Sequence, residues 1–109
     1  IEVRDSRLPF SSANTHLHTI LELSPRHNRK HILLFNKTDL TDLPSLLDVV
    51  KKMENTADEV HMCSAKEGKE VEKVFRRSVE MAKERGKSEV NKMMICGFPN
   101  VGKSSLINA

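Results

Sequence analysis

Gly97-Phe98-Pro99-Asn100-Val101-Gly102-Lys103-Ser104 satisfies the pattern G-x-x-x-x-G-K-[ST] of a phosphate-binding loop at every defining position. It follows the apolar run Met93-Met94-Ile95-Cys96 and leads into Ser105-Leu106-Ile107-Asn108-Ala109, a stretch of helical composition. Strand, glycine loop and helix is the context such a loop requires. Its two glycines let the backbone turn tightly and approach an anion closely. Amides at the helix start then converge on phosphate, helped by the positive end of the helix dipole. In this reading Lys103 reaches the β- and γ-phosphates and the Ser104 hydroxyl ligates Mg²⁺. A purely structural glycine turn would not need Lys103 and Ser104 at these places.

The chain has 109 residues, enough for at most one domain with a small core. It opens inside what reads as a strand and stops inside what reads as a helix, so a piece of a longer protein is expected. With 38% hydrophobic and 30% charged residues it has the composition of a globular protein, not a disordered one. No run approaches the ~20 apolar residues of a membrane span. The net charge of +3 is unevenly placed, for residues 66–92 carry nine Lys/Arg against six Asp/Glu. That excess suggests an RNA-facing surface, with a solvated helix face as the plainer alternative. Cys63 and Cys96 fit no metal spacing and read as buried, reduced thiols.

Ile1 to Arg4 reads as a strand, and a short helix is expected from Asn14 with Leu17, Ile20 and Leu21 on one side. His31-Ile32-Leu33-Leu34-Phe35 is apolar on both faces, as in a parallel sheet covered by helices. A helix capped by Thr41 or Asp42 follows, with Pro44 in its first turn and Leu43, Leu46, Leu47, Val50 and Met53 as its buried stripe. A third strand spans about Glu59 to Cys63. A basic helix then carries Val71, Val74, Phe75, Val79 and Ala82 on one side and ends at Gly86. Strands alternating with helices predict an α/β fold with a parallel sheet of about four strands in three layers. Ligands of such sheets bind beyond the carboxyl ends of the strands, where every motif here falls.

Asn36-Lys37-Thr38-Asp39 directly follows a strand. Guanine displays adjacent N1–H and N2–H₂ donors, and an ionised carboxylate can accept both. Adenine lacks the pair, and a wrong base in a dry site leaves polar groups unpaired at ~1–3 kcal/mol each. Asn36 can bond the N7 edge, and the Lys37 stem can lie over the ring. Taken alone, the tetrapeptide also suits an ordinary strand-to-helix turn. Ser64-Ala65-Lys66 ends the next strand, where small residues let backbone amides approach the guanine O6; alone it would serve equally as a helix cap.

Together these segments resemble a circularly permuted GTPase, in which the guanine motifs precede the phosphate loop. Arg4-Asp5-Ser6-Arg7-Leu8-Pro9-Phe10-Ser11-Ser12 is similar to the Asp-Ala-Arg-x-Pro-x-Ser segment that opens the domain in the YlqF and mitochondrial GTPase 1 group, with Ser6 where alanine is usual. The resemblance covers essentially all of residues 1–109 and implies a P-loop GTPase fold, incomplete because the switch regions would lie after Ala109. It implies that Asn100, Val101, Gly102, Lys103, Ser104 and Ser105 hold phosphates. Ser104 would hold Mg²⁺ and Asn100 a K⁺ ion standing in for an arginine finger, while Asn36, Lys37, Asp39, Ser64, Ala65 and Lys66 hold guanine. GTP and GDP are the expected ligands.

The group's members are ribosome-assembly factors of the large subunit. The expected partners are therefore that subunit and its rRNA, not DNA, with Arg26 to Lys30 and Arg76-Arg77 as candidate contacts. Peripheral association with the matrix side of the mitochondrial inner membrane is the expected setting, with a bacterial-type cytoplasm as the alternative. No group positioning the attacking water can be assigned. The family order also predicts a sheet running phosphate-loop strand, Ile1 strand, Ile32 strand, Val60 strand. Cys96 and Cys63 would then stand roughly 14 Å apart, beyond disulfide reach. Rival readings are a P-loop ATPase or nucleotide kinase, and a non-catalytic RNA-binding scaffold. The five histidines suggest no metal site, and His61 reads as a packed or edge residue.

Overall fold

The computed structural model describes residues 1–13, 15–23, 30–68, 70–84, 93–97, 102 and 106–107. Its centre is the apolar run, which forms β2 (Ile32–Asn36) and is buried at every residue. β1 (Glu2–Asp5) and β3 (Glu59–Met62) flank it, both parallel, in the order β1-β2-β3. The register aligns Val3 with Leu34 and Asp5 with Asn36 on one side, and Leu34 with His61 on the other. The helices are α1 (Thr15–Leu23), α2 (Leu43–Met53) and α3 (Val71–Glu84), and a short 3-10 turn, Thr38–Leu40, leads from β2 toward α2.

Alternation along β2 sends its side chains to two cores. Leu33 and Phe35 pack with Leu46 and Met53 of α2, whereas Ile32 and Leu34, with Val3, pack against Val71, Val74 and Met81 of α3 and against Leu106. His18 of α1 reaches Glu2 and Arg4 on the α2 side. Helices therefore cover both faces, the layering that a doubly apolar strand demands.

The expected fourth strand is reduced to one parallel bridge between Glu2 and Cys96. Val3 N–H donates to the Cys96 carbonyl at 2.8 Å and Cys96 N–H to the Ile1 carbonyl at 2.9 Å, so a single residue takes both ladder bonds. Its place beside β1 is the one the family order anticipates. Neither cysteine is in a disulfide, and burial pushes the Cys63 thiol up to about 12.

Asp42 caps α2, its Oδ2 accepting from Ser45 N–H at 3.3 Å, and Pro44 sits in the first turn. The sheet-facing line of this helix is Leu46, Val49, Val50 and Met53; Leu43 and Leu47, expected inside, are exposed. α3 departs in the same way, burying Met81 and leaving Val79 outside, and in α1 Ile20 is exposed while Leu17 is buried. Each contact line obeys the i, i+3, i+4 rule but is rotated from the one drawn by hydropathy alone. The expected ends at Asn14 and Gly86 lie outside the described residues.

Candidate functional site

Asn36, Lys37, Thr38 and Asp39 leave the carboxyl end of β2, and Cys63, Ser64 and Ala65 leave that of β3. The two turns are laced together. Thr38 N–H and its hydroxyl both donate to the Cys63 carbonyl, at 3.2 and 3.0 Å. Ala65 N–H donates to Asn36 Oδ1 at 3.0 Å, and the Ser64 hydroxyl donates to Asp39 Oδ1 at 2.8 Å. The Ser64 hydroxyl in turn accepts from Glu67 N–H at 3.3 Å. Asp39 Oδ2 has no hydrogen-bond partner among the described residues, and the residue is half-buried. A carboxylate with one oxygen pinned and the other open is an oriented acceptor, which a plain turn does not require. Lys66 is exposed on the same loop.

Asn36, expected at a purine N7 edge, has its side-chain oxygen committed to the protein, where it also receives the Cys63 thiol at 3.5 Å. Its amide nitrogen faces Gly102, and a Cβ added at Gly102 would overlap it. Gly102 also has φ +95°, so two separate reasons exclude a side chain there. Its carbonyl accepts from Leu106 N–H at 3.0 Å, the first bond of a helical turn. Asn36 thus joins three loops: its own, that of Ala65, and that of Gly102. Asn100, Val101, Lys103, Ser104 and Ser105 lie outside the described residues.

The loop after β1 joins the same end of the sheet. Ser6 N–H donates to the Asn36 carbonyl at 2.9 Å. Asp5 accepts from Arg7 three times: from its backbone N–H and Nε at Oδ1, 2.9 and 3.1 Å, and from Nη2 at Oδ2, 2.8 Å. Lys37 Nζ stands 3.4 Å from the same Oδ2. The Arg7 hydrogen bond is the chief reason that the Asp5 carboxyl is lowered to about 2, with Lys37 adding to it. Arg7 is held charged mainly by Asp5, with a smaller pull from Asp39. The Ser6 hydroxyl, at the position where alanine was expected, is buried with no hydrogen-bond partner among the described residues.

At the opposite end of the strands lies a cluster that sequence reading missed. The Glu2 side chain is fully buried and meets Arg4 Nε at 3.0 Å, His31 Nε2 at 3.0 Å and His18 Nε2 at 3.1 Å. Arg4 Nη1 donates to the Pro9 carbonyl at 3.2 Å, and the two imidazoles meet edge to face. Burial pushes the Glu2 carboxyl up, but the His31 hydrogen bond and the Arg4 charge outweigh it and bring it down to about 2. A Glu and an Arg two apart on a strand share one face, which was the available signal; the histidines come from elsewhere in the chain. The basic face of α3 is also answered internally: Arg76 pairs with Glu72, and Arg77 with Glu59, Glu80 and Glu84. Arg26 to Arg29 lie outside the described residues.

No family model matches the chain. Among known proteins it is 32% identical to mouse "Mitochondrial ribosome-associated GTPase 1" over 115 aligned positions, covering 100% of this chain and 34% of that protein. It is 40% identical to Clostridium kluyveri "Small ribosomal subunit biogenesis GTPase RsgA" over 76% of this chain and 25% of that protein. It is 30% identical to Bacillus pumilus "Ribosome biogenesis GTPase A" over 98% of this chain and 39% of that protein. The chain spans about a third of the length of the relatives it matches end to end.

Proposed function

We propose, for a chain homologous over its whole length to ribosome-associated and ribosome-biogenesis GTPases, that it reads guanine and cradles the phosphates of GTP in a protein that assembles ribosomes. The observation that carries this reading is the Asp39 carboxylate, pinned by Ser64 through one oxygen and open at the other. That oxygen, with its pinned neighbour, suits the N1–H and N2–H₂ pair of guanine. The Ala65 amide is bound to Asn36, so the turn that would face O6 is held at a fixed distance from Asp39. Gly102, Lys103, Ser104, Asn100, Val101 and Ser105 form the phosphate loop. Mg²⁺ at Ser104 and K⁺ at Asn100 rest on the motif alone. When bound, the divalent ion would neutralise charge on the β- and γ-phosphates.

In the intact protein, hydrolysis would act as a conformational timer during assembly of the large ribosomal subunit, in mitochondria at the matrix side of the inner membrane. Two features support that finer reading: the Asp5 to Ser12 segment resembles the large-subunit group, and the mitochondrial ribosome-associated relative matches all of this chain, the small-subunit relative only part of it. The permuted order of motifs fits the same view, with base recognition preceding the phosphate loop in sequence. Adenine would offer a carboxylate so oriented only its N6 amino donor, not the adjacent N1–H and N2–H₂ pair, which disfavours the ATPase or nucleotide kinase reading.

The test is base selectivity of the intact protein. GDP should bind far more tightly than ADP, and Asp39→Asn should lose that preference and gain affinity for xanthosine diphosphate, whose C2 oxygen complements an amide. Equal affinity for GDP and ADP, or unchanged selectivity in Asp39→Asn, would overturn the guanine reading.

A further inference from the structure

We propose that Asp5 is a positioning residue for the base site: its carboxylate anchors the Lys37 ammonium so that the Lys37 methylene stem forms a fixed wall of the slot. The inference rests on the guanine reading above and adds to it a residue from a different strand.

Three observations carry it. Asp5 pairs in register with Asn36, which places its side chain at the same sheet end, one strand over from Lys37. Lys37 has φ 65° and ψ 36°, a left-handed conformation that costs a non-glycine residue about 1–2 kcal/mol and so needs compensation from its surroundings. Its stem passes Gly102, with Cε about van der Waals distance from where a Cβ there would stand, and its Nζ ends 3.4 Å from Asp5 Oδ2. A lysine stem has four rotatable bonds and covers a ring reproducibly only if its charged end is tied. Asp5 ties it.

Asp5 is itself well suited to be an anchor. It is buried, its backbone N–H is bound to the Ser12 hydroxyl at 3.0 Å, and Arg7 closes on its carboxylate with three hydrogen bonds. Arg7 supplies the positive charge that keeps this carboxylate ionised, while Oδ2 remains shared with Lys37. The Asp5-Ser6-Arg7 segment is thereby an arm of the base site.

A wall of methylenes touches the ring face and not the edge that distinguishes bases. Loss of the anchor should therefore weaken all purine nucleotides together, unlike loss of Asp39, which should change their ranking. The experiment is a double-mutant cycle on the intact protein, using fluorescent GDP and ADP analogues, with thermal midpoints measured alongside. Asp5→Asn should raise the Kd for GDP about tenfold, as expected for one charged hydrogen bond, and leave the GDP-to-ADP ratio unchanged. In a Lys37→Ala background the same substitution should add less than about twofold, because the group it acts through is gone. Full additivity in that background, or a GDP affinity unchanged in Asp5→Asn, would overturn the proposal. If Asp5→Asn does not fold, Asp5→Glu keeps the charge, moves the carboxylate by one methylene, and is read in the same cycle. A wild-type protein without preference for GDP would instead sink the guanine reading itself, so the two failures are separable.

Discussion

The two ends of one short sheet carry two polar clusters built from similar residues, and they are put to opposite uses. At the amino end, Glu2, Arg4, His18 and His31 satisfy one another inside the fold. At the carboxyl end, Asp5, Arg7, Lys37, Asp39 and Ser64 are braced from within but keep acceptor capacity facing outward. Both hold carboxyl groups brought down to about 2, although the Glu2–Arg4 pair is almost fully buried while Arg7 and Lys37 are partly exposed. What separates them is whether the hydrogen-bonding valences close. A closed cluster fixes how α1 packs on the sheet, and an open one offers itself to a ligand.

The contrast breaks most visibly at Glu2. Glu2→Ala leaves Arg4 buried without its carboxylate and should cost about 3–5 kcal/mol in chemical denaturation, with base preference retained by whatever protein remains folded. The pH dependence has a definite sign. The folded carboxyl lies below its ordinary value of 4.5, so its contribution is present above pH 4.5 and is lost as pH falls toward about 2. Glu2→Gln should flatten the stability profile across that window.

The open end is sharpened by Ser64→Ala. Freeing Asp39 from its hydroxyl donor should cost about 1.5–3 kcal/mol of guanine nucleotide affinity, the worth of a hydrogen bond to a charged group. Titration calorimetry with GDP measures it. If affinity holds while only stability falls, the open carboxylate is not the reader of the base and the contrast collapses. The smallest effect is expected at Ser6, whose buried hydroxyl has no partner among the described residues. Ser6→Ala should raise the thermal midpoint by an amount equivalent to about 1 kcal/mol without changing nucleotide selectivity.

Much of the carboxyl end was legible in the residues. Asn36, Asp39, Ser64 and Ala65 were singled out from motifs at strand ends, and parallel pairing does bring them together. The sheet order also follows the family pattern, with Cys96 beside β1. The tie between Asp5 and Lys37 was not legible, because it joins side chains from neighbouring strands whose relation is fixed only by register. The Glu2 cluster was invisible for a related reason. An alternating Glu-x-Arg looks like a wet strand face, and nothing in its neighbourhood announces that α1 covers it. Leu43, Leu47 and Val79 were placed inside because hydropathy marks which residues are apolar, whereas the line of contact is set by how the helix is rolled on the sheet. Counting lysines and arginines also did not show the glutamates that α3 and β3 hold against Arg76 and Arg77.

The parallel bridge at Cys96 bears on the order in which the molecule is put together. It joins Val3 to a residue nearly the whole chain away. Closing so long a loop is entropically costly and kinetically slow compared with the β-α-β steps between β1 and β3. During synthesis from the amino end, the turns after β2 and β3 can therefore lock before residues 93–96 exist. Until residues 93–96 arrive, β1 presents an unpaired edge, the feature that most readily templates wrong strand partners. Nascent chains would be most vulnerable to aggregation in that interval, and the pairing of Cys96 with β1 is what ends it.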